Sequence, residues 1–223
     1  MNCTVDTERF CRTLASFDPD TDRCPRILAL YSAAVAVADE PVLIAALEMA
    51  RRLDIDYRPL YECTLQSYLF LGFPRMLIAA EQLAKYFPGE GKSTLLEKVS
   101  AEESEQWFRD GVSLCRKVYS DNYEPLKARV ESFAPDIFRW MILEGYGKVL
   151  SRDDVGIVDR ELSIIAILMM ENKIKQLHSH ILGARNVGAK ERLIRQVIED
   201  VGLAAGDGYA TALAIIARGG TDR

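Results

Sequence analysis

Two side chains in this chain have the types and the spacing for proton chemistry. Glu161 and His180 lie in the stretch Arg160 to Gly188, RELSIIAILMMENKIKQLHSHILGARNVG, which reads as two apolar helices joined by a turn near Asn172. The midpoint of 161 and 180 falls beside that turn. In an antiparallel helix hairpin, residues equidistant from the turn lie level with each other. The spacing therefore predicts a carboxylate level with an imidazole inside a hydrophobic layer. Such a pair can act as a general acid/base, with the carboxylate orienting and polarising the ring.

Each residue also has a plainer explanation. Asp159 reads as a helix N-cap, which would put Glu161 in the first turn, where the helix dipole alone stabilises a carboxylate. His180 shares a stripe with Leu177, Ala184 and Val187 and can be a satisfied core histidine. Arg160 and Arg185 are candidates to hold a substrate carboxylate through paired N–H donors, or to pair with acids of the chain itself. Cys63 reads as a small buried residue. Tyr57, Tyr61, Tyr68, Phe70 and Phe73 can line a pocket or belong to the core. No metal is expected. His178 and His180 form a His-x-His whose side chains diverge by about 200° on a helix, and no cysteine stands in a ligand spacing.

The elements that must position these residues are helical almost throughout, since apolar residues recur at three- and four-residue spacing. The pattern predicts helices over 6–16, 25–38, 41–53, 57–71, 74–86, 102–119, 123–132, 135–149, 159–171, 174–187, 190–204 and 207–218. Asp39-Glu40-Pro41 supplies a helix start, Phe87-Pro88-Gly89 a stop, and Ser100 a further cap. The segment Pro88 to Thr94 reads as a hinge or loop. A faint repeat at an offset of 134 pairs Arg26 with Arg160, Leu28 with Leu162, Leu43 with Leu177, Ala50-Arg51 with Ala184-Arg185 and Gly72 with Gly206. Glu161 then corresponds to Ile27 and His180 to Ala46, so only the second copy carries the pair. The expected division is 1–100, a first helical repeat without the pair, and 101–223, linking helices followed by the repeat that carries it.

Composition narrows the class. Of 223 residues, 49% are hydrophobic and 27% charged, which is ordinary for a globular chain able to bury a sizeable core. A formal charge of −5 with no basic patch argues against a nucleic-acid partner. Apolar runs such as Ile164 to Met170 are too short to span a bilayer, so no membrane partner is expected. The start MNCTVDTERF has neither the basic residues nor the apolar run of a signal peptide, and five scattered cysteines fit a reducing compartment. A cytoplasmic location follows as the expectation.

Arg160-Glu161-Leu162, His180 and Gly183-Ala184-Arg185-Asn186-Val187-Gly188 resemble motifs of the carboxymuconolactone decarboxylase family, whose wider group includes alkylhydroperoxidase D. The first copy is similar to the later part of the same motif at Glu62-Cys63-Thr64-Leu65-Gln66 and at Tyr68 to Pro74. The resemblance implies an all-α fold of duplicated helical hairpins, a small-molecule substrate, no cofactor, and assembly as a trimer or hexamer. The peroxidase branch of that group carries a Cys-x-x-Cys just before the histidine, where Lys173 and Gln176 stand here. The implied activity is therefore that of the cysteine-free branch, a carboxy-lyase acting on a small carboxylated lactone or related organic acid. Glu161 and His180 would be catalytic, and Arg160 and Arg185 would bind substrate. A hydroperoxide-handling protein and a non-catalytic helical oligomer that binds a ligand are the alternatives.

Overall fold

A computed structural model describes residues 5–91 and 99–219. The described residues are all-helical, with no strand among them. In chain order the α-helices are α1 Thr7–Ser16, α2 Arg23–Val37, α3 Glu40–Arg52, α4 Tyr57–Tyr86, α5 Ala101–Tyr119, α6 Tyr123–Glu131, α7 Pro135–Trp140, α8 Ile157–Met170, α9 Ile174–Asn186, α10 Glu191–Ala205 and α11 Asp207–Gly219. A 3₁₀ turn, Ser120–Asn122, leads into α6, and a π-helix, Met141–Leu150, continues α7. Among the described residues, no helix is long and apolar enough to cross a membrane. The hinge expected over Pro88 to Thr94 lies partly outside the described residues, at 92–94.

The helix starts carry the expected chemistry in most places. Asp39 accepts a hydrogen bond from the Val42 N–H at 3.2 Å, with Pro41 in the first turn. Ser100 and Glu103 form a reciprocal capping box at 3.1 and 2.8 Å. Two expectations need correction. Asp159 is not an N-cap: α8 begins earlier, at Ile157, behind Gly156. Residues 135–149 are not one regular α-helix, because the backbone widens to the π form after Trp140. The close packing of α5 explains the glycines there. A methyl at Gly111 would run into the Ile142 carbonyl, and one at Gly147 into the Trp107 carbonyl.

α2 to α4 and α8 to α11 are built to one plan. The starts Arg23 and Ile157, Glu40 and Ile174, and Tyr57 and Glu191 stand 134 residues apart in each case. The turns correspond as well. Ala38 (φ 56°) and Asn172 (φ 49°) both adopt the left-handed conformation, and Gly72 (φ 74°) breaks α4 where Gly206 (φ 50°) separates α10 from α11. The two sets pack through α2 against α8, with α10 against α2 and α4 against α8. α2 is buried from Ile27 through Ala36 and α8 from Arg160 through Met169, so both are wrapped on all sides rather than amphipathic.

Reciprocal arginines tie the two sets together. Arg26 on α2 donates to both carboxylate oxygens of Asp200 on α10, at 2.7 and 2.9 Å. Its counterpart Arg160 on α8 reaches α4, donating to Glu62 at 2.9 Å and Gln66 at 3.2 Å. Gln66 and Asp200 are themselves 134 apart. Arg160 and Glu62 have no exposed surface, and Arg152 adds a second guanidinium on Glu62 at 2.8 Å.

Burial by itself would raise the Glu62 carboxyl, but the hydrogen bonds and charges of Arg152 and Arg160 outweigh it and hold it below the usual range. A depressed folded value contributes stability that is present above the unfolded pKa and is lost as pH falls through the folded one. Glu62→Gln should therefore destabilise the protein at pH 7 by about 3 kcal/mol. In urea titrations the gap from wild type should close as pH drops below about 4.3, the value of a free glutamate, because protonated Glu62 then resembles the amide. A gap unchanged between pH 7 and pH 3 would contradict this.

Candidate functional site

The α8–α9 hairpin turns at Asn172, whose side chain tolerates the left-handed backbone that the turn needs. Glu161 and His180 come level, with Glu161 Oε2 and His180 Nδ1 at 2.8 Å. Glu161 is wholly buried and His180 is 5% exposed. Because α8 starts at Ile157, Glu161 lies beyond the first turn, so a capping or dipole role does not account for it. Its second oxygen, Oε1, is buried and meets no donor among the described residues. A buried carboxylate oxygen without a donor is costly, and such an atom needs an explanation.

Space for the carboxylate comes from Gly183. A Cβ there would stand 2.9 Å from Glu161 Oε2 and 2.8 Å from a Val118 methyl, closer than either contact allows. α5 closes the layer from the other side, and Asn186 on α9 donates to the Val118 carbonyl at 2.8 Å. Phe70 meets the His180 ring edge-on, with centroids 5.6 Å apart at 81°. Burial, reinforced by the Glu161 charge, pushes the Cys115 thiol up to about 12. Burial also lifts the Tyr119 hydroxyl to about 12, with Tyr146 pulling the other way and Glu161 adding to the rise. Both groups therefore keep their protons at neutral pH.

His180 opens onto a cavity of about 970 Å³. Tyr68, Leu69 and Phe70 enter it from α4, just before the Gly72 break. α9 contributes Ile174 to Gln176 and His178 to His180, and the segment between the two helix sets forms most of the remaining wall. Tyr119, Tyr146 and Trp140 belong to that segment. Nδ1 is held by Glu161, while Nε2 makes no hydrogen bond among the described residues. The pair thus has an oriented side, set by the carboxylate, and a side available to a reacting molecule.

The structure places the two expected substrate arginines elsewhere. Arg160 is fully buried, and its guanidinium is taken up by Glu62, Gln66 and the carbonyls of Val155 and Arg152. That makes Arg160 a structural ion-pair residue rather than a clamp for substrate. Arg185 forms a two-pronged pair with Glu191 at 2.9 and 2.8 Å. Neither arginine lines the cavity. Of the aromatic candidates, Tyr68 and Phe70 line it; Tyr57 and Tyr61 stack on each other, and Phe73 is exposed and stacked on Tyr68.

Sequence reasoning missed Arg129, an exposed residue of α6 that lines the cavity and has no ion-pair partner among the described residues. Its sequence neighbourhood, YEPLKARVE, mixes acidic, basic and apolar residues and carries no signal that singles it out. The buried thiols are poorly placed for chemistry. Cys63 is buried beside Ser163 at 3.7 Å, and burial pushes it up to about 11. Among the described residues, no group of three His, Cys, Asp or Glu side chains is placed to hold a metal. Compared with known proteins, the chain matches no family model and no curated protein.

Gly183→Ala should cost about 1–3 kcal/mol of stability, the usual effect of forcing a methyl into filled space. It should also displace Glu161 from His180. The chain has only two histidines, so nitrogen-15 spectra of the imidazoles resolve the effect. The His180 signals should move while those of His178, which is exposed, stay in place. Unchanged His180 signals in a folded variant would count against the packing described.

Proposed function

We propose that this protein is a general acid/base enzyme of the carboxy-lyase kind, acting on a small organic acid such as a carboxylated lactone. The observation that carries the reading is the 2.8 Å contact between a wholly buried Glu161 and His180, whose ring faces a cavity. The resemblance of Arg160-Glu161-Leu162, His180 and the Gly183 to Gly188 run to carboxymuconolactone decarboxylases supports the choice of reaction.

The chemistry follows from the geometry. Glu161 holds Nδ1 and so fixes the orientation of the ring, leaving the other nitrogen for the substrate. The bond between the substrate ring and its carboxylate breaks, carbon dioxide leaves, and the electron pair is delocalised into the conjugated lactone. The imidazolium of His180 delivers a proton to that carbon and is reloaded from solvent. The neutral phenol of Tyr119, backed by Tyr146, offers a donor at the cavity wall for the oxygen on which charge develops. Thiol-dependent peroxide reduction is less well served. It needs an accessible thiolate at the site, whereas Cys63 and Cys115 are buried, Cys11 and Cys24 are half-buried and do not line the cavity, and burial raises all four.

Carbon dioxide release from a panel of carboxylated lactones tests the assignment. Glu161→Gln and His180→Gln should each reduce turnover by about 10²-fold or more, as expected for a general acid/base. The double variant should lose little further, because each group acts through the other. Peroxide consumption with a thiol reductant and no carbon dioxide release would overturn the reading. Ligand binding that survives both substitutions, with no turnover at all, would instead identify a non-catalytic binding protein.

The reading extends to assembly as a homo-oligomer, a trimer or hexamer. Phe73 and Leu77 are each 59% exposed on α4, and an apolar strip of this kind is covered by a second copy in proteins that self-associate. Multi-angle light scattering at micromolar concentration should give a mass of three or six times 25.0 kDa. A monomer mass throughout that range would refute it.

A further inference from the structure

The cavity beside His180 combines apolar and polar lining, and its size exceeds what one small ring requires. At about 970 Å³ it stands at the upper end of the roughly 300–1,000 Å³ typical of sites for drug-sized ligands. Part of its lining is apolar and aromatic: Phe70, Phe133, Trp140 and Ile137. Phe133 is 70% exposed and Trp140 57%, so large apolar surface faces solvent at the mouth. The cavity adjoins a smaller recess of about 220 Å³. Arg129, His178 and Ser179 border both spaces, and Asn122 and Asn186 face the recess.

The charges at the cavity are not equivalent. Glu144, its acidic residue, already accepts a hydrogen bond from the Tyr68 hydroxyl at 2.8 Å. Arg129 has no acidic partner among the described residues, and neither has Lys175. A guanidinium beside an apolar chamber, with hydroxyl and amide groups around it, is complementary to a carboxylate attached to an apolar body. From these features we infer that the ligand is an amphipathic organic monoanion. Its aromatic or aliphatic body occupies the chamber against Phe70, Phe133 and Trp140, and its carboxylate is held by Arg129. This rests on the reading of the cavity as the site that the Glu161–His180 pair serves. Arg129 thereby takes the carboxylate-binding role for which Arg160 and Arg185 are not placed.

Isothermal titration calorimetry with three probes tests the inference: 2-naphthylacetate, its neutral amide 2-naphthylacetamide, and acetate. The naphthylacetate should bind at least about 10-fold more tightly than the amide, as expected for one charged hydrogen-bonded contact. Acetate alone should show no measurable heat. Arg129→Ala changes an exposed side chain, so the fold should persist, as circular dichroism would verify. That variant should bring the acid and the amide within about three-fold of each other. Phe133→Ala should weaken both naphthyl probes alike. Equal affinity of acid and amide for wild type, a preference that survives Arg129→Ala, or failure of all three probes to bind would each overturn the inference. His180→Gln separates this from the catalytic reading: naphthylacetate affinity should be retained while turnover is lost. Selective binding without turnover in wild type would remove the proposed reaction and leave the ligand class standing; turnover without the Arg129-dependent preference would do the reverse.

Discussion

A guanidinium with no contact with water sits where the two helix sets cross. Arg160 is wholly buried, and a buried charge is tolerated only when its donors are matched. Its matches come from elsewhere in the chain. Glu62 and Gln66 are one helical turn apart on α4, and the carbonyls of Arg152 and Val155 close the remaining directions. The arrangement sets the rotation and register of α8 against α4. A slip by one residue would leave a cation unpaired in the core. On the opposite side of the crossing, Arg26 and Asp200 do the same work with some exposure to solvent. Glu161 follows Arg160 directly, so whatever fixes the arginine also fixes the direction of the carboxylate.

The two copies share one frame and differ in what fills it. Ile27 and Ala46 occupy in the first set the positions that Glu161 and His180 occupy in the second, and both are fully buried. Met49 corresponds to Gly183. One copy therefore fills with a long apolar side chain the room that the other leaves for a carboxylate. The segment between the sets, from α5 through the π-helix, supplies the cover that only the second copy needs. Against the corresponding positions of the first set, polar chemistry in the second goes with three differences: a charge, a partner, and a glycine that makes space.

Much of this architecture is legible in the sequence, and the exceptions have physical reasons. The helix hairpin at Asn172 can be read from local periodicity and turn chemistry, and equidistance from the turn then brings Glu161 and His180 together. The repeat shows at Arg26 and Arg160 because a cation that must find a buried partner leaves a mark in both copies. The fate of Arg160 is not legible, since its side-chain partners Glu62 and Gln66 are almost a hundred residues distant and nothing local distinguishes a core guanidinium from one reaching for substrate. The π-helix is equally silent, because its widening goes with the close approach of its backbone to α5, at Gly111 of α5 and at its own Gly147, rather than with any period of its own. The cavity, with Arg129 at its edge, is assembled from several distant stretches, and no single stretch carries its signature.

The wrapping of α2 has a consequence for how the chain is made. From Ile27 to Ala36 every side of this helix is buried, and a large part of that cover is α8. During synthesis α2 emerges well over a hundred residues before α8 is complete. At roughly 5–20 residues per second, that interval is on the order of ten seconds. Throughout it, a stretch of leucine, isoleucine, valine and alanine has only its nearest helical neighbours to cover it. The first helix set thus has an exposed apolar helix on the ribosome until the second set arrives to cover it. The crossing that gives the finished protein a dry, interlocked centre gives the nascent chain its period of greatest exposure to aggregation.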